Sequence, residues 1–164
     1  MKKYLFVCLI AAVVLGLDQL TKWYIRKTLG LYESLPVVDS FFEITHVSNT
    51  GGAFGLFAGA HSSWRLPFLL VMSTVAVSAL LYFVRRVPEG HWILLLALGG
   101  ILGGALGNFA DRIIAGKVTD FLYFHWREYS WPAFNVADSF ISVGMVTLLL
   151  HSFLVGDEQP DSKA

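Results

Sequence analysis

Two aspartates, Asp120 and Asp138, lie in short polar breaks beside long apolar stretches of the chain. The breaks are residues 118–121 (Val-Thr-Asp-Phe) and 134–138 (Phe-Asn-Val-Ala-Asp). A carboxylate at the edge of a hydrocarbon region is costly, so it predicts a functional site. Two such groups facing each other would share a proton, because like charges close together cannot both ionise cheaply. A pair of this kind can add water to a peptide bond without a metal or a covalent nucleophile.

The composition indicates that these aspartates belong to a membrane protein. Of 164 residues, 55% are hydrophobic and 15% are charged, the mean hydropathy is +0.62, and the formal net charge is zero. This balance lies outside the range of soluble globular domains, and it does not point to nucleic acid as a partner. Cys8 is the only cysteine, which excludes an internal disulfide, and the five histidines lack the spacing of paired metal ligands. The residues therefore indicate neither a metal nor a cofactor.

Four apolar segments, residues 4–24, 66–84, 92–110 and 136–155, have about the 20 residues needed to cross a bilayer. The first resembles a secretory signal, but no small-x-small cleavage site follows it. We predict a mainly α-helical, polytopic protein with a single membrane domain over residues 1–164. Its long loops cover about 25–65 and 111–135, and its polar tail, 156–164, is expected to be disordered.

The polar residues near the segment ends converge on one side of the membrane. With four spans, both termini lie on one side and both long loops on the other. A span that exits and a span that enters share a face, so the following residues should lie at similar depth: Asp18, Asn49, Asn108, Asp111, Arg112, Asp120, Asn135 and Asp138. Four of the five tryptophans also fall on this side, as expected for interfacial anchors.

Local patterns predict how these residues are positioned. Gly99, Gly103 and Gly107 recur at i, i+4 and i+8 in the third span, a spacing that lets helices approach closely. The third span is therefore expected to be the central helix. In the first loop, residues 35–47 are β-branched and aromatic and predict one or two short strands, followed by a turn at 49–54. The second loop is rich in aromatic residues and suited to lying in the membrane interface.

Ordinary structural roles remain open for some of these residues. Asp18 could bond Thr21 or pair with Lys22 at a helix end. Asp111 and Arg112 could form an interfacial charge cluster. The hypothesis of a site rests on the convergence of all the polar groups rather than on any one of them.

Two other chemistries are conceivable. Ser139 could be a nucleophile with Lys22 or Lys117 as its base, although no serine lies on a recognisable nucleophile turn. A proton- or ion-coupled transporter could also use intramembrane carboxylates. Transporters usually place such groups at the midplane of repeated halves, and no internal repeat is visible in this chain.

Five blocks of the sequence resemble the bacterial lipoprotein signal peptidases, also called signal peptidase II, which are intramembrane aspartic proteases. The blocks are residues 18–22 (Asp-Gln-Leu-Thr-Lys), 49–54 (Asn-Thr-Gly-Gly-Ala-Phe), 103–112 (Gly-Gly-Ala-Leu-Gly-Asn-Phe-Ala-Asp-Arg), 118–121 and 134–139 (Phe-Asn-Val-Ala-Asp-Ser). The resemblance covers nearly the whole chain. Thr119 departs from the family pattern, which often has an apolar residue there, but both aspartates remain in place.

The resemblance implies that Asp120 and Asp138 are the catalytic pair. It implies that the substrate is bound by Asn49, Asn108, Arg112 and Asn135, with Asp18 and Asp111 in supporting roles. The expected substrate is a prolipoprotein whose lipobox cysteine carries a thioether-linked diacylglyceryl group, cleaved just N-terminal to that cysteine. Membrane lipids are the other expected partner, and a monomer is the default.

The resemblance further implies a small β-cradle in the first loop and a short interfacial helix in the second. Both would lie on the extracytoplasmic face of the bacterial inner membrane, with the termini in the cytoplasm. Charge alone does not give this orientation, because the loop side carries more lysine and arginine than the terminal side.

Overall fold

The structure of the protein is a computed structural model that describes residues 1–51 and 63–155. In chain order the elements are α1 (Lys2–Thr28), β1 (Ser34–Val38), β2 (Phe42–Asn49), α2 (Arg65–Arg86), α3 (Trp92–Ala115), β3 (Val118–Trp126), β4 (Tyr129–Ser130) and α4 (Val136–Val155). The predicted disordered tail, 156–164, and the end of the predicted turn, 52–54, lie outside the described residues.

Each of the helices α1, α2, α3 and α4 is long and apolar enough to cross a membrane. With 27 residues, α1 spans roughly 40 Å at 1.5 Å per residue, which exceeds a hydrocarbon core of about 30 Å. The predicted mainly α-helical fold with a small sheet is confirmed. The helix α3 continues past the predicted end of the third span at residue 110, so Asp111 and Arg112 are helical residues rather than loop residues.

The glycine-rich helix α3 is the central helix, as the sequence predicted. It packs against α1, α2 and α4, and most of its apolar stretch is buried, whereas the other helices expose large apolar side chains. Gly104 allows a close approach, because a Cβ at this position would lie 2.5 Å from the carbonyl oxygen of Ala137. This contact brings the first turn of α4, which contains Asp138, directly onto α3.

A four-stranded antiparallel sheet, in the order β1-β2-β3-β4, lies at one end of the helices. The strands β1 and β2 confirm the prediction of one or two strands in the first loop. In the register of β2 with β3, Ser48 lies opposite Thr119 and Val47 lies opposite Asp120. Since successive side chains point to opposite faces of a strand, Thr119 and Asp120 face opposite sides of the sheet.

The second loop differs from the expectation of a short helix. After α3, residues 116–135 form β3, β4 and a bridge between Leu122 and Phe134, and this described segment contains no helix. The prediction of a helix there is wrong for a physical reason. The run Val-Thr-Asp-Phe-Leu-Tyr-Phe-His-Trp favours a strand, and β2 offers it a backbone edge to pair with. The strand β3 is the element that carries Asp120.

Candidate active site

Asp120 is the third residue of β3, and its carboxylate is almost entirely enclosed, with 2% of the residue exposed. Both of its oxygens accept hydrogen bonds from asparagine side chains. Asn135 Nδ2 donates to Oδ1 over 2.6 Å, and Asn49 Nδ2 donates to Oδ2 over 2.9 Å. The carboxylate is therefore held by groups from the end of β2 and from the start of α4.

Asp138 lies in the first turn of α4 and takes part in a reciprocal cap with Asn135. The side-chain oxygen of Asn135 accepts the Asp138 N–H at 3.0 Å, and Asp138 Oδ2 accepts the Asn135 N–H at 3.3 Å. This arrangement is a capping box, which satisfies amides that a helix start would otherwise leave unpaired. Asn108 in α3 donates to the other oxygen, Oδ1, over 2.8 Å. Asn135 thus contacts both aspartates, one through its side chain and the other through its backbone.

The amides of Asn49, Asn108 and Asn135 are all oriented with the NH₂ group toward a carboxylate. In each case a donor holds the amide oxygen on the other side. Gly51 N–H donates to the oxygen of Asn49 over 2.8 Å, and Lys22 Nζ donates to that of Asn108 over 2.9 Å. The oxygen of Asn135 accepts the N–H of Asp138. An amide oriented by its partners can act as a fixed donor. These three amides and the backbone N–H of Asn135 supply one donor to each of the four carboxylate oxygens.

Burial raises the pKa of the Asp120 carboxyl from an ordinary 3.8 to about 6, because an enclosed carboxylate loses its hydration. The hydrogen bond from Asn49 opposes this increase, since it stabilises the charged form. The negative charge of Asp138 adds to the increase, whereas the bond from Asn135 and the charge of Lys22 oppose it. The charge of Asp138 therefore acts on the protonation of Asp120.

Behind the aspartates lies a buried ion-pair cluster centred on Lys22. Its side chain has no solvent exposure, and its Nζ is 2.8 Å from Asp18 Oδ2 and 3.0 Å from Asp111 Oδ2. The Asp18 carboxylate also accepts the backbone N–H of Ala137 over 2.9 Å, which ties α1 to the first turn of α4. A buried charge is stable only when it is paired and hydrogen-bonded. Here the partners come from α1, α3 and α4 and from the backbone N–H of Thr119 in β3, which donates to Asp111 Oδ2 over 3.4 Å.

Lys22, Gln19 and Arg26 are residues of the site that the sequence reasoning did not assign to it. Gln19 Nε2 lies 3.1 Å from the carbonyl oxygen of Gly107 and 3.2 Å from Asp111 Oδ1. Arg26 pairs with Asp111 at 3.6 Å and donates to Thr119 over 3.2 Å. The sequence did contain a signal for two of them. Lys22 and Arg26 follow Asp18 at i+4 and i+8, a spacing that places all three along one face of α1.

Arg112 holds the segment that follows β2. Its guanidinium donates to the carbonyl oxygen of Gly51 over 3.2 Å and to that of Asn108 over 3.3 Å. The structure thus brings all eight predicted site residues into one connected group, in which Asn49 and Asn135 contact Asp120. Asn108 contacts Asp138, and Lys22 links Asp18 and Asp111 to Asn108.

The described residues do not form the alternative serine site. Ser139 Oγ donates to the backbone oxygen of Asn135 over 2.9 Å. Lys22 is engaged by Asp18, Asp111 and Asn108. Lys117 lines a cavity with Thr119, on the face of the sheet away from Asp120. The pairing of Asp18 with Lys22, which the sequence left open as a structural role, is present, but the pair is fully buried and lies inside α1 rather than at its end.

The chain is similar to proteins described as lipoprotein signal peptidases. The family described as signal peptidase (SPase) II matches residues 10–154. A lipoprotein signal peptidase from Desulforapulum autotrophicum is 44% identical over 94% of each chain, and one from Syntrophotalea carbinolica is 47% identical over 87% of each chain. A solved bacterial membrane enzyme aligns with a TM-score of 0.84 and 29% identity, covering 96% of this chain and 93% of the other.

Proposed function

Since this chain belongs to the signal peptidase II family, a family of membrane proteases, we propose that it is an aspartic endopeptidase with Asp120 and Asp138 as its catalytic pair. The observation that carries the proposal is the arrangement of these two carboxylates around Asn135. Asp120 is buried and Asp138 is partly buried, each accepts two hydrogen bonds, and the negative charge of Asp138 raises the pKa of Asp120. This is a suitable environment for two acids that must share one proton.

The proposed reaction begins with one aspartate ionised and the other protonated. The ionised carboxylate takes a proton from a water molecule, and the water oxygen attacks the carbonyl carbon of the scissile peptide bond. The protonated aspartate gives its proton to the carbonyl oxygen, which produces a gem-diol. Collapse of the gem-diol breaks the C–N bond: the first aspartate passes the proton taken from water to the leaving amine, and one hydroxyl of the gem-diol returns its proton to the second aspartate. The products are a carboxylic acid and an amine, and the pair again holds one proton. General acid–base catalysis of this kind contributes roughly 10²–10⁴-fold.

The asparagines and Arg112 support this reaction in the proposal. Asn49, Asn108 and Asn135 hold the carboxylates in position, so that little reorganisation is needed during the reaction. Arg112, together with the asparagines, binds the extended peptide backbone of the substrate near Gly51. Asp18 and Asp111 keep Lys22 in place, and Lys22 orients Asn108.

The proposed substrates are prolipoproteins that carry a diacylglyceryl group on the lipobox cysteine, cut on the N-terminal side of that cysteine. Relatives of the chain are named lipoprotein signal peptidases. The site lies at one end of helices that are long enough to cross a membrane, so the lipid chains of a substrate could remain in the bilayer while its peptide reached the aspartates. We place this end on the extracytoplasmic face of the bacterial inner membrane and the termini in the cytoplasm.

The test is cleavage of a diacylglyceryl-modified precursor peptide by the purified protein, compared with Asp120→Asn and Asp138→Asn. We expect each replacement to lower kcat by at least roughly 10²–10⁴-fold, because it removes one partner of the acid–base pair. A chelator should leave the activity unchanged. Ser139→Ala is the matched control, since Ser139 adjoins Asp138 but bonds only a backbone oxygen in the described structure.

Normal cleavage by either asparagine variant would contradict the proposal, and loss of activity with the chelator would contradict the metal-free mechanism. Circular dichroism and unfolding temperature in detergent should show that the variants fold. The transporter alternative predicts ion-dependent flux in proteoliposomes without any response to lipopeptide. Membership of a protease family does not favour it.

A further inference from the structure

A cavity of about 380 Å³ lies on the opposite side of the sheet from Asp120. Ser48 and Thr119, which are opposite each other in the register of β2 and β3, both line it. The neighbouring side chains along the same strands, Asn49 and Asp120, bond to each other on the other face. The cavity is therefore separate from the pair of aspartates.

Several basic and hydroxyl groups that line this cavity, called the rear cavity below, have hydrogen-bonding capacity that the described residues do not use. Arg26 uses one guanidinium nitrogen, Nη1, for Asp111 and Thr119. Lys117 Nζ and Ser48 Oγ have no hydrogen-bond partner among residues 1–51 and 63–155. The one acidic group of the lining, Asp111, is already paired with Lys22 at 3.0 Å. The cavity can thus offer a lysine, an arginine edge and a hydroxyl to an anion.

The cavity lies at the end of the helices that carries the sheet. It is lined by the C-terminal parts of α1 and α3 and by the strands β2 and β3. Apolar side chains that line it, Leu31 and Ile114, are exposed, and Ile114 is 80% exposed. A pocket that combines basic groups with an exposed apolar edge suits an anionic headgroup whose lipid chains lie beside it.

We propose that the rear cavity binds the phosphate headgroup of an anionic phospholipid. Lys117, Arg26 and Ser48 contact the phosphate oxygens, and the lipid chains pass over Ile114 into the bilayer. The combination of cations with an exposed apolar edge favours a lipid over free phosphate, which has no apolar part. This site goes beyond the proposed peptidase activity and does not depend on it.

The experiment measures lipid binding by native mass spectrometry of the whole protein released from detergent. Phosphatidylglycerol, phosphatidylcholine and inorganic phosphate are titrated separately. We expect saturable binding of one phosphatidylglycerol, weaker binding of phosphatidylcholine, and no displacement of the lipid by millimolar phosphate. Lys117→Gln should weaken phosphatidylglycerol binding by about 5-fold, the effect typical of one cation near a headgroup.

Lys27→Gln is the matched control, because Lys27 lies on the same end of α1 but stacks over Trp23 at 4.8 Å and does not line the cavity. It should leave the apparent Kd unchanged, and so should Asp120→Asn. Equal weakening by Lys27→Gln and Lys117→Gln would overturn the proposal, since it would indicate only general attraction to the surface. Equal affinity for the two lipids, or displacement by inorganic phosphate, would also overturn it. If Lys117→Gln fails to fold, Ser48→Ala provides the same comparison with a smaller expected loss.

Discussion

At the scale of single residues, three asparagines control how the two aspartates are hydrogen-bonded. Asn49, Asn108 and Asn135 each present an NH₂ group to a carboxylate, and a donor on the amide oxygen prevents the opposite orientation. Hydrogen bonds from these amides stabilise the ionised form of the carboxylates, whereas burial favours the neutral form. For Asp120, the effect of burial is the larger, since its pKa is raised to about 6.

Replacing Asn49 with leucine should move the pH profile of kcat to higher pH. The bond from Asn49 lowers the pKa of Asp120, so its loss raises that pKa further above 6. The direction is the same whichever aspartate carries the shared proton, because both protonation steps belong to the coupled pair. The measurement is kcat for a lipid-modified precursor between about pH 4 and 9.

The control for this variant is Ser48→Ala, one residue earlier in β2 and on the other face of the sheet. Its pH profile should match that of the unchanged protein. A shift of the Asn49→Leu profile toward lower pH would show that Asn49 does not stabilise the ionised form.

Replacing Lys22 with methionine should destabilise the fold and also lower kcat in the folded fraction. The change leaves the buried carboxylate of Asp18 without its cation and that of Asp111 with Arg26 alone, and an uncompensated buried charge typically costs about 3–5 kcal/mol. It also removes the donor that holds the oxygen of Asn108, so the amide can turn away from Asp138. The measurements are the unfolding free energy in detergent and kcat at saturating substrate.

A double variant, Lys22→Met with Asp111→Asn, separates these two effects. It removes one buried negative charge and should recover part of the stability, but kcat should remain low because the donor to Asn108 is still missing. Full recovery of kcat in the double variant would mean that Lys22 acts only through stability.

At the scale of elements, the helix α3 and the strand β3 determine where the site is formed. The glycines of α3 predicted a central, closely packed helix, and the structure agrees. Gly107 has a particular role, because a Cβ there would collide with the carboxylate of Asp18. The absence of a side chain at this position makes room for the buried ion pair.

Gly107→Ala should therefore destabilise the protein, and Gly16→Ala should not. The added methyl group at Gly107 displaces Asp18 from Lys22 and from the amide of Ala137, and overpacking of this kind costs about 1–3 kcal/mol. A Cβ at Gly16, in the interior of α1, meets nothing within 4 Å. Alanine at this position should stabilise the helix by roughly 0.5–1 kcal/mol. The unfolding temperatures of the two variants in detergent test these predictions. If both variants lowered the unfolding temperature equally, the role given to Gly107 would be contradicted.

The strand β3 is where the sequence prediction and the structure differ most. The resemblance to the family implies a short helix in the second loop, whereas residues 118–126 of this loop form the strand β3. Pairing with β2 makes this segment a strand. The backbone oxygen of Phe134 also accepts hydrogen bonds from the N–H groups of Phe121 and Leu122 in β3. Such partners lie far away in the chain, so a local pattern cannot reveal them.

At the scale of the whole molecule, the structure bears on the count of lysine and arginine residues that predicts the orientation in the membrane. The loop side carries more lysine and arginine than the terminal side, which by a simple count would place the loops in the cytoplasm. However, Lys22 is fully buried in ion pairs with Asp18 and Asp111, so its charge is neutralised within the fold. A neutralised charge contributes less to orientation than a free one, which weakens this count as an argument against the proposed extracytoplasmic position of the sheet.

Cysteine labelling tests this orientation in a Cys8→Ser background. Glu128→Cys, in the turn between β3 and β4, should react with a membrane-impermeant maleimide on intact spheroplasts. Glu89→Cys, in the link between α2 and α3, should react only after the membrane is permeabilised. Each residue is exposed, so access to the reagent depends on the side of the membrane. The opposite labelling pattern would place the site in the cytoplasm.

Hydropathy and residue spacing were sufficient to identify a four-span membrane protein, a central glycine-rich helix and a group of polar residues at one end. These are local properties, because the length of an apolar run and the face of a helix depend only on neighbouring residues. Only the three-dimensional fold decided that Lys22 is buried between Asp18 and Asp111 and that Asn135 joins the two aspartates. It also decided that residues 118–126 form a strand. Each of these features depends on contacts between distant parts of the chain, where packing selects among partners that the sequence leaves equally available.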